Sequence, residues 1–163
     1  MTTRISGYKD HVCHMVVAND EIAVDFEGVH YAFCSEQCRE RFQMNPRLYI
    51  GYPGSKAPKQ KGEIVRKTRR LKLGEALPRD LADKVHESLH AMMGIDLVEI
   101  DGDTLYVTYD LLQATEAQIE RELTRLGIPL DADWKERLRR SFARILEDNE
   151  IDSREVAPPG HHH

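Results

Sequence analysis

The sequence predicts an α+β fold in two small units, within 163 residues. Three observations lead there. All three cysteines, Cys13, Cys34 and Cys38, lie before residue 39, in a segment that alternates and then shows a helix start. The stretch GYPGSKAPKQKG, residues 51–62, concentrates Gly, Pro, Ser and Lys and reads as a linker. Beyond it, strand and helix periodicities follow one another in the order β-α-β-β-α, with one more amphipathic helix behind them. The expected division is a small unit over 8–52, a linker over 53–62, a second unit over 63–150, and a disordered tail over 151–163.

Each element has a local reason. In the first unit, AVDFEGVHYAF alternates through Val24 and Phe26, then Val29, Tyr31 and Phe33, with Glu27-Gly28 as the turn between two short strands. The apolar run from Val12 to Ala18 reads as a strand ahead of them. Ser35 is a good N-cap, Glu36 suits a first turn, and Asn45-Pro46 should stop the helix, since the residue before proline avoids the helical region. A ββα unit of this size has a small core and usually needs a staple, such as a metal.

In the second unit, EIVRKTRRLKL reads as a strand. A helix follows with apolar residues at 81, 85, 89 and 92, between Pro78 and Gly94. DLVEIDGDTLYVTYD is a hairpin, and TEAQIERELTRLG is a helix capped by Thr115 and stopped by Gly127. GIPLD offers a short strand remnant. The final helix places Trp134, Leu138, Phe142 and Ile145 on one stripe.

Composition narrows the function. No run of about 18 apolar residues exists to cross a membrane, and the N-terminus shows no apolar signal core. A cytoplasmic, reducing location is expected, where three cysteines read as metal ligands or redox thiols before disulfides. The net charge of −5 is uneven. Residues 56–74 carry eight basic side chains and one acidic, whereas residues 75–163 carry ten basic and twenty acidic. The basic block reads as a solvated linker and an edge strand protected by charge. Without interleaved aromatics, nucleic-acid binding is the minor alternative.

The cysteines carry the chemistry. Cys34 and Cys38, four apart, share a face at the first turn of the predicted helix. Unpaired N–H groups and the helix dipole there should favour thiolate over thiol. Cys13 reaches the same point if the hairpin folds back, so three thiolates converge. The alternative is that all three are small buried hydrophobes. HVCHM adds further donors. On a regular strand His11 and Met15 share the Cys13 face and His14 points away, which ranks His11 ahead of His14 as a fourth ligand. Met15 reads first as core packing.

The segment DHVCHMVV…EGVHYAFCSEQCRERFQMNPRLYIG resembles the YHS domain of the TRASH-like heavy-metal-binding group. Asp10, Val12, Cys13, Met15, Gly28, Tyr31, Phe33, Cys34, Ser35, Cys38, Phe42, Asn45, Pro46 and Tyr49 fall on its pattern. The resemblance implies Cys13, Cys34 and Cys38 as metal ligands and a role in heavy-metal trafficking, resistance or sensing. His11 stands where the family usually has proline, and His14 where it has glycine. A weaker resemblance, of topology and length, links the second unit to the ferredoxin-like heavy-metal-associated domain. That family's cysteine pair is absent here, since the matching loop reads LKLGEALPRDLA.

His86 and His90, four apart in HESLH, match H-E-x-x-H literally, but the apolar stripe lies on another side of the helix and no third ligand is evident. No enzyme is expected from this chain by itself. The expected function is capture of Cu(I) or Zn(II) through Cys13, Cys34 and Cys38, with His11, His14 and Met15 as candidate fourth ligands. By analogy, the chain passes the ion on as an accessory to, or the N-terminal part of, a metal-transporting P-type ATPase, and its partner is such an ATPase or a metallochaperone. The alternative is a structural zinc module in a regulatory or interaction protein.

Overall fold

A computed structural model describes residues 7–155. It is α+β, and the described residues divide into two compact units, residues 7–63 with Glu155, and residues 64–154.

The first unit opens with a minimal hairpin, β1 (Tyr8–Lys9) and β2 (Val16–Val17), in antiparallel register Tyr8↔Val17 and Lys9↔Val16. A second hairpin pairs β3 (Ala23–Phe26) with β4 (Val29–Ala32). Its turn takes positive φ at Glu27 (49°) and Gly28 (80°), the geometry of a two-residue hairpin turn. Helix α1 (Glu36–Met44) is capped by Ser35, whose hydroxyl accepts the Cys38 N–H, and ends at Asn45 before Pro46. A four-residue helix, α2 (Arg47–Ile50), follows.

Two expectations change here. The run from Val12 to Ala18 is a turn followed by two strand residues, so the unit gains a hairpin over the simple ββα plan. The segment 53–62 is folded onto the unit: Ala57 is buried, and the Lys59 N–H donates to the Leu48 carbonyl at 3.0 Å.

Aromatic packing fixes the helix against the second hairpin. The Phe42 ring is 4.8 Å from Tyr31, 5.2 Å from Phe33, 6.1 Å from Phe26 and 6.2 Å from Tyr49, centroid to centroid. Such edge and tilted pairs contribute beyond their buried area. With Phe42 pinned inward, Cys38, one turn earlier, also faces inward and is fully buried.

The second unit is a three-stranded antiparallel sheet in the order β5-β7-β6, built from β5 (Arg66–Lys72), β6 (Ile95–Asp101) and β7 (Thr104–Asp110). On β7, Leu105, Val107 and Tyr109 are fully buried and Tyr106 is exposed, the period-two pattern of a half-covered sheet. Helix α3 (Arg79–His90) packs Val85 and Leu89 inward, and α4 (Glu116–Arg125) packs Ile119 and Leu123. Thr115 and Gln118 form a reciprocal capping box at the start of α4. The strand remnant expected in GIPLD is a single antiparallel bridge, Leu73↔Leu130, on the outer side of β5.

Much of the positive charge on β5 is met within the unit. Lys67 pairs with Glu150 at 2.7 Å, Arg69 with Glu147 at 3.1 Å and Arg66 with Asp96 at 2.9 Å. Helix α5 (Trp134–Arg154) extends past the expected end at residue 150, so Ile151–Arg154 are helical. Residues 156–163 of the expected tail lie outside the described residues.

Helix α5 meets the rest of this unit through charge. Glu147, buried, accepts the Glu116 N–H at 2.8 Å and also bonds Tyr109 and Arg69. Burial, with Glu120 and Glu147 nearby, pushes the Glu116 carboxyl up to about 7, and its Oε2 is buried without a partner. The native state therefore holds this proton more tightly than the unfolded chain, where the value is 4.5. No penalty exists below pH 4.5, and the penalty is complete above about 7. Glu116→Gln should accordingly raise the urea midpoint of this unit at pH 8 and leave it nearly unchanged at pH 4.5, read by circular dichroism at both pH values.

Candidate metal centre

The stretch HVCHM is a tight loop rather than a strand. Asp10 closes it from both sides: its N–H donates to the Met15 carbonyl at 2.8 Å, and its carbonyl accepts the His14 N–H at 2.7 Å. The Asp10 side chain then turns inward and is fully buried. Its Oδ1 accepts the N–H groups of Val12 at 2.8 Å and Cys13 at 3.2 Å. Its Oδ2 accepts the Cys34 N–H at 2.9 Å, from a segment 24 residues away. One carboxylate thus fixes the backbone of two cysteines, Cys13 in the loop of the first hairpin and Cys34 in the segment between β4 and α1. Burial alone would raise its pKa, but the hydrogen bonds from Cys34, Val12 and Cys13 outweigh it and hold the group below the ordinary aspartate value.

The three sulfurs meet as their spacing predicted. Cys13 Sγ lies 3.5 Å from Cys34 Sγ, and Cys34 Sγ lies 3.7 Å from Cys38 Sγ. Together with an Asp10 oxygen, all ligand atoms fall within 4.8 Å of one another. These separations are too long for a disulfide, which needs about 2.05 Å, and all three cysteines are free. They fit a shared ion: sulfurs about 2.3 Å from a tetrahedral centre lie roughly 3.8 Å apart. Cys38 is buried while Cys13 and Cys34 are half-buried, so the site opens on one side. The cluster Asp10, Cys13, Cys34 and Cys38 could hold a metal ion.

At Cys38 the predicted thiolate-stabilising helix terminus is overridden. Burial pushes the Cys13 thiol up to about 12, with the Asp10 charge adding to it, although the Met15 N–H pulls the other way. Burial pushes the Cys38 thiol up as well, followed by the charges of Asp10, Cys13 and Cys34, against the single Ser35 hydrogen bond. Packing negative sulfurs around a buried carboxylate is costly without a cation between them. A bound ion reverses that balance, because its charge stabilises the thiolates and carboxylate together.

The remaining candidates are placed elsewhere. His14 is exposed and takes φ of +67°, the left-handed region, so strand alternation never applied to it. His11 sets its ring edge-on to Tyr31 at 5.4 Å, and burial with nearby Lys9 holds its pKa below the ordinary value. Neither histidine belongs to the cluster. Met15, expected in the core, is half exposed. His86 and His90 stack at 4.5 Å on the exposed side of α3, opposite Val85 and Leu89.

Asp10 is the member of the cluster that the sequence reading left without a role. Its signal was an aspartate at the head of a tight loop, where a carboxylate can take the N–H groups two and three residues on. Its third bond, to Cys34, spans 24 residues and has no local signature.

Two substitutions separate geometry from ligation. His14→Gly should stabilise the loop by about 1 kcal/mol, because glycine adopts left-handed φ without the side-chain penalty. Metal affinity should stay as in the parent, measured by chelator competition. Asp10→Asn should speed amide exchange at Cys34 by tenfold or more, since an amide nitrogen turned toward that N–H cannot accept its bond. Nuclear magnetic resonance of the labelled chain reads the rate directly.

No curated protein and no solved structure matches this chain. The site nevertheless lies wholly within one recognisable segment: the family model of the YHS domain matches residues 8–52, which carry Asp10 and all three cysteines.

Proposed function

We propose that the chain is a metal-binding module for a soft or borderline ion, Cu(I) or Zn(II), held by Cys13, Cys34 and Cys38 with Asp10 in or beside the fourth position. The observation that carries this reading is the convergence of three free sulfurs and one carboxylate within 4.8 Å. Thiolates select soft ions over magnesium or calcium, and the carboxylate tilts the set toward Zn(II). Three thiolates without it suit Cu(I). The half-buried Cys13 and Cys34 leave one side from which a competing thiol could approach, which supports ion transfer by ligand exchange.

In this reading the chain works in the cytoplasm, catalyses nothing by itself, and delivers the ion to a metal-transporting ATPase or receives it from a metallochaperone. No helix of the described residues is long and apolar enough to cross a membrane. A second reading is favoured by Asp10, whose three hydrogen bonds make site and fold one object. In that reading the ion is a permanent zinc staple.

Titration of the reduced protein with Cu(I) and Zn(II) against a competing chelator tests both. Each of Cys13→Ser, Cys34→Ser and Cys38→Ser should weaken binding at least a hundredfold. Parent-like binding by all three variants would end the proposal. Chelator treatment discriminates the readings. An exchangeable site leaves the second hairpin and α1 folded once the ion is removed, whereas a structural staple unfolds them.

A further inference from the structure

Helix α5 is amphipathic in the inverted sense. Its inward face holds Glu147 and Ile151 buried, and ties Arg144 to Glu120 at 2.9 Å. Its outward face carries Trp134, Leu138, Phe142, Ile145 and Leu146, each at least half exposed. A helix of a soluble unit normally turns that stripe to the core, and a contiguous exposed apolar face marks an interaction surface.

The charges beside the stripe say what covers it. From Lys135 to Arg144 there are five basic residues and only Glu136 opposing them. From Glu147 to Asp152 there are four acidic residues and no basic one. A parallel copy of the helix would set like charge against like. An antiparallel copy sets the basic half of each helix against the acidic half of the other. On the helical wheel Arg137 and Asp148 border one flank of the stripe. One antiparallel register brings Arg137 opposite Asp148 of the second copy. The same register puts Phe142 and Ala143 at the twofold axis and Leu138 near Ile145 of the second copy. Neither Arg137 nor Asp148 forms an ion pair of its own among the described residues. A shallow depression lined by Trp134, Arg137, Leu138 and Ser141 lies along the same face.

We propose that α5 is a homodimer interface, pairing with α5 of a second copy in antiparallel register across Leu138, Phe142 and Ile145. A surface that complements itself under a twofold rotation is what an isologous interface requires. The apolar stripe supplies the buried centre, and the two flanking Arg137–Asp148 pairs set direction and register. The dimer is independent of metal, because every residue named lies in the second unit.

Sedimentation equilibrium of the full chain, from micromolar to millimolar concentration, tests it. The parent should be a dimer. Leu138→Glu with Phe142→Glu should give a monomer with an unchanged far-ultraviolet circular dichroism spectrum. Arg137→Asp alone and Asp148→Arg alone should each weaken the dimer about tenfold, and the two together should restore it. A parent that stays monomeric throughout the range overturns the proposal. So does a dimer that survives the Leu138/Phe142 double substitution, which would place its interface elsewhere. Failure of the charge reversal to restore association would overturn the antiparallel register, even if the apolar substitutions give a monomer.

Discussion

The Asp10 carboxylate is the constraint on which the candidate site depends. Three cysteines in a hairpin loop, a connecting segment and a helix are of no use to an ion unless their backbones are held in register. Here one buried side chain accepts N–H groups from Val12, Cys13 and Cys34 and so joins the first hairpin to the loop that opens α1. Hydrogen bonds to an ionised acceptor are about twice as strong as neutral ones. A buried carboxylate also needs all of them, because an unpaired charge in that position would cost several kcal/mol. The need is mutual: the loop satisfies the carboxylate, and the carboxylate shapes the loop.

That arrangement has an electrostatic consequence. Burial, with the Asp10 charge adding to it, raises the Cys13 and Cys38 thiols above the ordinary cysteine range. A cation converts the same neighbours from mutually repelling groups into a shared ligand shell. The aromatic cluster around Phe42 holds the cysteine-bearing helix against the second hairpin. The second unit has no part in this shell, and its cohesion comes from the covered face of a three-stranded sheet and from ion pairs along α5.

Legibility in the sequence followed the range of the interactions. Ser35 as a cap, the stop before Pro46, the turn at Glu27-Gly28 and the capping box at Thr115 are local, and the structure has them where the residues place them. The three-cysteine cluster was legible because a helix start and a hairpin leave few ways to bring Cys13 near Cys34 and Cys38. HVCHM was misread as a strand. Its closure depends on Asp10 and on left-handed φ at His14, a conformation that histidine does not advertise and glycine would have. The Cys38 thiol departs from expectation because burial and Asp10 outweigh the helix terminus. The direction of the α5 stripe was invisible for another reason: periodicity shows that a helix has an apolar side, not which way it points. The YHS match over residues 8–52 agrees with the part of the chain whose signals were most local.

The central claim is that three sulfurs and at most one light donor form a single shell. X-ray absorption at the metal edge of the Zn(II)-loaded protein tests it most directly. The account predicts three sulfur scatterers at about 2.3 Å and one oxygen or nitrogen near 2.0 Å, with no imidazole outer-shell pattern. Fewer than three sulfurs, or the multiple-scattering signature of histidine ligands, would contradict it.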